Sequence, residues 1–423
     1  MKSRQTLNIT LILLLSFLYG ITLKAQDQES LWVDSVYNSL SIEQRVGQLI
    51  SMRGNWPNKP FDPNVVTYIE RYNIGGVCFF RHDAEAIVKQ GNEWQKQAQT
   101  PLLFAIDAEW GLDMRVNNTL YYPFQTTLGA IDNDYDTLIY RMGQQVAEQC
   151  KRLGIHINFA PDVDVNNNAD NPVIGMRSFG EDPNNVSHKS AAYMLGMQSK
   201  GLITSAKHFP GHGNTSTDSH YGLPTVDSPY DDVQKIELTP FRWLIEKGSN
   251  GIMVGHLYLP AIEPIKNTSS SLSYRVTTEL LKEEMGFTGL IFTDGLEMQG
   301  VRKNISQDSV PYRAFMAGND VLLLPVDVPQ AINIITDACK KDNVAAARLE
   351  ESCKKILRYK YRVGLTKTPS ISLKNLDKDL QKKEYKALQE ELYRKAITLV
   401  KNDDNTIPLP DESKKKIACL LLS

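Results

Sequence analysis

The chain has 423 residues, more than one ordinary domain needs but close to what a single (β/α) barrel with appendages requires. Hydrophobic residues make up 42% and charged residues 23% of the sequence, values typical of a globular protein with a sizeable core, so intrinsic disorder is excluded. Lys and Arg together number 47 against 49 Asp and Glu, and this near balance offers no broad basic surface for nucleic acid or anionic lipid.

The first 25 residues have the pattern of a cleavable signal peptide. Lys2 and Arg4 precede an apolar run from Ile9 to Tyr19, and a short stretch ending at Ala25 follows. A membrane anchor is the alternative, but the apolar run is shorter than the roughly 20 residues that a spanning helix needs. No Cys stands at the end of the run to accept a lipid. We therefore predict cleavage near Ala25, no stable membrane insertion afterwards, and a periplasmic or secreted location.

Between about residue 45 and residue 363, short apolar β-rich runs alternate with amphipathic helical stretches, a pattern typical of a parallel sheet with helical crossovers. The predicted strands are Val46–Met52, Ile74–Phe80, Leu102–Ile106, Ile155–Pro161, Ile203–His208, Gly251–His256, Leu290–Thr293 and Val321–Pro325. The predicted helices include Ala84–Gln99, Asp134–Leu153, Val186–Lys200, Tyr230–Lys247 and Thr277–Met285.

These strand–helix units favour an α/β fold, a (β/α)8 TIM-like barrel over residues 26–363. An open doubly wound sheet is the alternative, but no Gly-rich phosphate-binding turn follows the first predicted strand.

The composition changes after Gly364. Residues 364–395 include the Lys- and Glu-rich stretch Lys374–Lys395, which predicts a solvated linker helix. In residues 396–423, the runs Ala396–Lys401 and Ile417–Leu422 are predicted to be two strands joined by a Pro-containing connector. We expect this extension to begin a further domain in a longer chain, or to dock on the barrel as an edge strand.

Active sites of (β/α)8 barrels lie at the C-terminal ends of the strands. The predicted strands end in side chains that can bind or react, and this clustering predicts an active site at that rim. The residues are Asp107 and Glu109 after the third strand, Asp162 and Asp164 after the fourth, Lys207 and His208 in the fifth, His256 in the sixth and Asp294 after the seventh.

The densest motif runs Lys-His-Phe-Pro-Gly-His-Gly from Lys207, and Asp218-Ser219-His220 follows it. This segment resembles the signature of glycoside hydrolase family 3, and the Asp-Ser-His continuation resembles that of its bacterial β-N-acetylglucosaminidase branch. Other stretches resemble the same family in the same order across residues 40 to 363: Phe104–Asp107, Asn158–Pro161, Arg177–Gly180 with Asp182-Pro183, and Ile291–Asp294.

Retaining cleavage of a glycosidic bond needs a carboxylate on one face of the sugar and a proton donor beside the leaving oxygen. We predict Asp294 as the nucleophile, because Gly295 leaves room for a sugar ring; a helix N-cap is the structural alternative. His220 is the predicted acid and base, with Asp218 orienting the ring and stabilising the imidazolium. A surface turn is the alternative for this pair.

The resemblance implies that Lys207 and His208 bind sugar hydroxyls and that Asp107 and Arg177 hold hydroxyls of the non-reducing sugar. An ion pair with Glu181 or Asp182 is an alternative role for Arg177. His212 is expected to support the loop that carries it, and Asp162 and Asp164 are expected to fix Lys207 or Arg177 in position. Trp110 is expected to stack on a sugar ring in a neighbouring subsite, and Glu297 is expected to be a surface residue of a helix.

The cysteines Cys78, Cys150, Cys339, Cys353 and Cys419 form no CxxC pair, so neither a disulfide framework nor a zinc site is predicted, and most are expected to be buried thiols. The sequence also has no HExxH motif and no Walker-type loop. We therefore expect neither a metal nor another cofactor.

The resemblance implies a retaining β-N-acetylglucosaminidase that releases terminal non-reducing β-linked N-acetylglucosamine from cell-wall or chitin-type oligosaccharides through a glycosyl-Asp intermediate. A β-N-acetylglucosaminide phosphorylase stays open, because a neutral imidazole does not repel an incoming phosphate. A β-glucosidase or β-xylosidase also stays open. A non-catalytic sugar-binding barrel would be expected to lack the nucleophile or the proton donor, and both are present. Residues 396–423 resemble the start of the α/β sandwich domain that follows the barrel in some members of the family.

Overall fold

The computed structural model describes residues 27–302, 305–306, 309–367 and 370–403. The predicted signal peptide, Cys419 and the predicted strand Ile417–Leu422 lie outside these residues. Within the described ranges, none of the helices combines the length and the apolar character needed to cross a bilayer.

The described residues form short parallel strands whose side chains are almost all buried. The strands are β1 Ile50–Arg53, β2 Gly76–Cys78, β3 Leu103–Ile106, β4 Ile157–Asn158, β5 Ile203–Thr204, β6 Ala206–Phe209, β7 Gly251–Val254, β8 Leu290–Thr293 and β9 Leu322–Leu323. One sheet has the order β5-β4-β3-β2-β1-β9 and the other β6-β7-β8.

The two sheets are joined at both ends. Only Ser205 separates β5 from β6, so these two strands occupy one position, and a parallel bridge from Phe292 to Val321 links β8 to the start of β9. The resulting order has eight strand positions, the number that the sequence predicts, and is consistent with a TIM-like fold.

Helices lie between the strands, as the alternating pattern predicts. They are α1 27–39, α2 Ile42–Gly47, α3 Asn64–Tyr72, α4 Ala84–Gln97, α5 Gln125–Gly129, α6 Asp136–Arg152, α7 Pro183–Ser199, α8 Tyr230–Lys235, α9 Leu238–Glu246, α10 Gln299–Arg302, α11 Val310–Ala317, α12 Val328–Lys341, α13 Asn343–Arg362, α14 Leu376–Leu380 and α15 Lys383–Ala396. Shorter 3₁₀ turns are Leu112–Met114, Asn133–Tyr135, Gly175–Arg177 and Ser270–Leu272, and Arg275–Glu284 is a π-helix.

Local chemistry explains where several elements begin and break. The hydroxyl of Ser41 accepts a hydrogen bond from the backbone N–H of Gln44, and the side-chain oxygen of Gln44 accepts one from the backbone N–H of Ser41. This capped helix α2 includes Val46, which was predicted to begin the first strand. The single helix predicted over Tyr230–Lys247 is two helices, α8 and α9. Pro240 has no N–H for the carbonyl of Ile236, which prevents one continuous helix there.

The segment 364–395 differs from the prediction of one solvated linker helix. It contains two helices, and both pack against α6. Gln149 on α6 donates a hydrogen bond of 2.9 Å to the carbonyl of Leu380, and Arg152 pairs with Asp379 at 2.9 Å. The side chains that α14 and α15 bury are Leu376, Leu380, Tyr385, Leu388 and Leu392. Because Lys and Glu are frequent in this segment, its composition suggests full exposure to solvent, although one face of each helix is apolar and buried.

The strand predicted over Ala396–Lys401 is also absent from the described residues. Ala396 is the last residue of α15, and residues 397–403 form neither a helix nor a strand. Ile397, Leu399 and Val400 are exposed. A strand requires a partner to pair with, and no described strand pairs with this segment.

Lys360 on α13 is a fully buried lysine that should oppose folding near neutral pH. Its Nζ donates one hydrogen bond, of 2.6 Å, to Oε1 of Gln48, and burial lowers the pKa of Lys360 from 10.5 to about 7. Between those two pH values the unfolded chain binds more protons than the folded chain, so stability rises with pH; below about pH 7 both states are protonated and this contribution is constant.

We expect Lys360→Met to remove this pH dependence. In urea unfolding at pH 7.5 and 9.5, the wild type should gain stability at the higher pH by about 1 kcal/mol or more relative to the variant. Lys340→Met, at an exposed position of α12, is the matched control and should follow the wild type. Parallel behaviour of Lys360→Met and the wild type would show that Lys360 stays protonated in the fold.

Candidate active site

A cavity of about 480 Å³ lies where the strands end. Residues at or just after the ends of β1, β2, β3, β6, β8 and β9 line it. The cavity lining includes most of the predicted site residues: Asp107, Arg177, Lys207, His208, His220 and Asp294. The predicted partner of His220, Asp218, lies behind that ring. The fold therefore brings together residues that lie up to 187 positions apart in the sequence, from Asp107 to Asp294, at the rim where the strand ends predicted the site.

A charged network covers the side of the cavity next to β3 and β6. Nζ of Lys207 lies 2.9 Å from Oδ1 of Asp107 and 2.7 Å from Oε1 of Glu109. Arg177 binds Glu109 with two hydrogen bonds, Nε to Oε2 at 3.0 Å and Nη2 to Oε1 at 2.9 Å. Arg115 donates to Oδ2 of Asp107 at 3.0 Å. Paired and bidentate contacts of this kind fix each side chain in one orientation.

The same network keeps its acids charged in a buried place. Burial alone would raise the pKa of Asp107, but Lys207 and Arg115 hold that pKa well below its usual range. Burial also opposes ionisation of Glu109, and Arg177 with Lys207 lowers its pKa to about 2. The network therefore presents fixed acceptors and donors, which suit the hydroxyl groups of a sugar.

The alternative role for Arg177, an ion pair with Glu181 or Asp182, is not found among the described residues. Arg177 instead pairs with Glu109, and Asp182 accepts hydrogen bonds from the backbone at the start of α7. The reason is topological: the 3₁₀ turn Gly175–Arg177 lies over the cavity, where the buried carboxylate of Glu109 is a stronger partner than an exposed one.

His208 is held by the acidic pair that follows β4. Its Nδ1 lies 2.7 Å from Oδ2 of Asp164, and its Nε2 lies 3.4 Å from Nη2 of Arg177. Burial and the charge of Asp164 raise the pKa of Asp162 well above its usual value. Asp164 thus positions His208, not Lys207 or Arg177 as predicted, while Asp162 lies 3.4 Å from Arg177.

Asp162, Asp164 and His208 form a group that could hold a metal ion, since one ligand atom of each lies within 4.8 Å of the others. The chemistry of the group does not favour one. Asp164 and His208 already bond each other, and Arg177 supplies positive charge beside Asp162. We assign no metal role to these residues.

Asp294 differs from the other carboxylates of the cavity. It follows β8 directly, and its Oδ1 accepts a hydrogen bond of 2.7 Å from the N–H of Gly295. Its carboxylate forms no ion pair with a described residue, whereas Asp107, Glu109 and Glu297 each pair with a cation. Oδ2 of Asp294, at the wall of the cavity, therefore has no hydrogen-bond or ion-pair partner among the residues that the structure describes.

The surroundings of Asp294 favour its charged form. Burial opposes ionisation, but His256, His208 and the N–H of Gly295 together lower the pKa of Asp294 below its usual value. His256, whose role the sequence leaves open, holds the backbone here: Nε2 lies 2.9 Å from the carbonyl oxygen of Gly295, and Nδ1 lies 2.8 Å from the hydroxyl of Ser271. The N-cap alternative for Asp294 does not hold, because the next helix begins at Gln299.

Asp218 and His220 form a hydrogen-bonded pair at the mouth of the cavity. Oδ1 of Asp218 accepts from the backbone N–H of His220 at 2.8 Å and also lies 2.8 Å from Nδ1 of its ring. The His220 side chain is 62% exposed. Because Asp218 fixes Nδ1, the other ring nitrogen, Nε2, is free for proton transfer.

The segment that carries His220 is anchored beside Asp294. Ser219 is buried; its hydroxyl lies 3.3 Å from Nε2 of His212, and its carbonyl accepts a hydrogen bond of 3.0 Å from the N–H of Gly300 on α10. A Cβ at Gly300 would lie 2.7 Å from that carbonyl oxygen, so this contact requires glycine. His212 supports the loop, as predicted, through Ser219 and through Thr215 at 2.7 Å.

Several residues that line the cavity were not predicted from the sequence to belong to the site, or were predicted to lie at the surface. Glu297, predicted at the surface, is 29% exposed, pairs with Arg53 and lines the cavity. Trp110, which was predicted to stack on a sugar ring, packs edge-on against Phe124 with 4.9 Å between the ring centres, and it does not line the cavity. The tryptophan that lines the cavity is Trp56. The strand-end rule could have found Arg53, because it closes β1, but the predicted strand stopped one residue earlier.

The four described cysteines, Cys78, Cys150, Cys339 and Cys353, are buried free thiols. Burial raises the pKa of each thiol above its usual value, which makes none of them a ready nucleophile.

Comparison with known proteins identifies several relatives. Beta-hexosaminidase A of Pseudoalteromonas piscicida is 32% identical over 384 residues, which span 83% of this chain and 63% of that protein. A beta-hexosaminidase of Nitrosomonas eutropha is 32% identical over 286 residues, 66% of this chain and 81% of that protein. The chain thus spans less than two thirds of the length of the first of these relatives.

Solved structures share the fold. A glycoside hydrolase family 3 beta-N-acetylglucosaminidase from Paenibacillus sp. superposes with a TM-score of 0.79 at 32% identity, covering 85% of this chain and 70% of that one. A beta-glucoside phosphorylase reaches a TM-score of 0.82 at 24% identity over 90% of this chain and 70% of that one, a likeness of fold alone. The model of the glycosyl hydrolase family 3 N-terminal domain matches residues 41–359, well over half of the chain. The chain therefore belongs to glycosyl hydrolase family 3.

Proposed function

We propose that this chain hydrolyses terminal, non-reducing β-linked N-acetylglucosamine in a two-step reaction that retains the anomeric configuration. The observation that carries the proposal is the contrast between the cavity carboxylates. Asp294 is charged and forms no ion pair with a described residue, and His220, which Asp218 holds, lines the same cavity. The relatives named beta-hexosaminidase and beta-N-acetylglucosaminidase support the choice of sugar.

In the first step, Oδ2 of Asp294 attacks the anomeric carbon as the bond from that carbon to the leaving oxygen breaks. Protonated His220 gives the proton on Nε2 to the leaving oxygen. In the second step, Nε2 takes a proton from water, the water oxygen attacks the anomeric carbon, and Asp294 leaves as a carboxylate. Asp218 holds Nδ1 throughout and stabilises the imidazolium, while Lys207, His208 and Arg177 hold the sugar hydroxyls.

A test compares p-nitrophenyl β-N-acetylglucosaminide with the matching β-glucoside, each with and without inorganic phosphate. We expect the N-acetylglucosaminide to turn over at a rate that phosphate changes by less than about twofold, with free β-N-acetylglucosamine as the first product seen by proton NMR. Dependence on phosphate, with N-acetylglucosamine 1-phosphate as product, would instead identify a phosphorylase. Faster turnover of the glucoside would identify a β-glucosidase.

We also propose cell-wall or chitin-type oligosaccharides as the substrate class and a periplasmic or secreted location. The support is the charged-then-apolar pattern of residues 1–25, which is typical of proteins exported to where such polymers occur. N-terminal sequencing of the protein recovered from cell fractions tests the location. An unprocessed N-terminus in the cytosolic fraction would rule it out.

A further inference from the structure

Trp56 is an exposed tryptophan at the wall of the active-site cavity. It lies three residues after β1, lines the cavity together with Pro57, and is 60% exposed. Folding leaves more than half of the residue's surface in contact with solvent, although a tryptophan side chain gains more from burial than most side chains. The nucleophile, the proton donor and the network around Lys207 make no use of it.

The ring of Trp56 is held in place from one side. The guanidinium carbon of Arg53 lies 4.0 Å from the centre of the Trp56 ring and 3.8 Å from that of Phe80, so Arg53 is stacked between the two aromatic rings. Glu297, three residues after Asp294, pairs with Arg53 and fixes the guanidinium. One face of Trp56 is thus covered by a cation that is itself tied to the segment of the nucleophile, and the ring is preorganised.

Trp56 follows a strand on the opposite side of the barrel from the strand that carries Lys207. In the order of eight strand positions, β1 and the position shared by β5 and β6 are four apart. The side chains of Lys207 and Glu109 are 3% and 0% exposed, in contrast to the 60% of Trp56. A sugar whose hydroxyls reach the network lies deep in the cavity, and the group attached to its anomeric carbon must lead outward past Asp294, towards the mouth.

We propose that Trp56 is a binding platform for the leaving-group sugar of a disaccharide or longer oligosaccharide, with Arg53 and Glu297 as the residues that position it. The platform rests on the proposed function, because it assumes that the N-acetylglucosamine to be released occupies the deep end of the cavity. A pyranose presents C–H groups on its face, and these pack well on an aromatic ring, so the site selects leaving groups that contain a ring.

The test compares two substrates with the same released sugar and different leaving groups. One is the β-1,4-linked disaccharide of N-acetylglucosamine, and the other is N-acetyl-β-glucosaminyl fluoride, whose leaving group has no ring. Trp56→Ala should lower kcat/KM for the disaccharide about tenfold and change that for the fluoride by less than about twofold. Trp56→Phe should retain most of the disaccharide activity. Tyr274→Ala, an exposed aromatic residue outside the cavity lining, is the matched control and should change neither.

A binding measurement keeps this inference separate from the proposed function. In Asp294→Asn protein, calorimetry should show that Trp56→Ala weakens binding of the disaccharide about tenfold and leaves binding of free N-acetylglucosamine unchanged. Equal losses for both substrates, or for both ligands, would place Trp56 on the released sugar and overturn the proposal, as would no loss at all. If the wild type cleaves neither substrate but the binding contrast is present, the proposed function fails, and Trp56 is a contact for the second sugar ring of a bound disaccharide and not for a leaving group.

Discussion

Asp294→Asn is expected to lower kcat on p-nitrophenyl β-N-acetylglucosaminide by about ten thousandfold or more. The amide keeps the shape of the side chain and can still accept the hydrogen bond of 2.7 Å from the N–H of Gly295, so the loss reports the nucleophile and not the fold. A neutral amide oxygen cannot form the ester intermediate that splits the reaction into two steps. Steady-state assays at high enzyme concentration, together with thermal melts, measure the loss and check folding.

Two additions make this experiment decisive. Asp337→Asn, at an exposed position on α12, is the matched control and should keep wild-type activity. In Asp294→Ala, the space left by the carboxylate admits a small anion, so azide should restore part of the rate and yield a glycosyl azide of inverted configuration. If Asp294→Asn kept more than about a tenth of the activity, another carboxylate would have to be the nucleophile.

The environment of each carboxylate gives it a different role. Glu109 accepts two hydrogen bonds from Arg177 and lies 2.7 Å from Lys207, so attack on a sugar would require it to give up these partners. Asp162 is held towards its protonated form by burial and by Asp164. Asp294 alone among the described cavity carboxylates is both charged and unpaired, and this difference is a stronger argument for its role than its position at a strand end.

The fold and much of the cavity could be predicted because a parallel barrel brings all of its strand ends to one rim. Finding the end of each strand was therefore enough to group Asp107, Lys207, His208 and Asp294, without knowledge of any distance. Helix boundaries were less predictable where a single residue determines them. Pro240, the third residue of α9, separates α9 from α8 because it cannot donate a hydrogen bond to the carbonyl of Ile236.

The partners of the site residues could not be predicted. Arg53 and Glu297 lie 244 residues apart, and no local pattern marks the pair. The residues of α14 and α15 look solvated because charge dominates their composition, although Leu380 and Leu388 pack against the rest of the protein. A sequence pattern gives the face that an element buries, whereas the partner on the other side depends on the assembled fold. Trp110 illustrates the same limit, since Phe124 and not the cavity receives its ring.

His220→Ala is expected to reveal proton transfer through its dependence on the leaving group. For the β-1,4-linked disaccharide, whose leaving oxygen needs a proton, kcat should fall by about a hundredfold to ten thousandfold. For N-acetyl-β-glucosaminyl fluoride, cleavage needs less assistance, and the fall should be smaller because only the activation of water in the second step is lost. Asp218→Asn keeps His220 but removes the carboxylate 2.8 Å from Nδ1, so it should reproduce the same contrast with a smaller loss.

The control for this pair is His188→Ala, because that ring is exposed and stacks on Trp243 away from the cavity. It should change neither rate. Equal losses of His220→Ala on both substrates would mean that the ring binds the sugar and does not transfer a proton. Full activity of His220→Ala would mean that another group donates the proton, and it would overturn the assignment of His220 as acid and base.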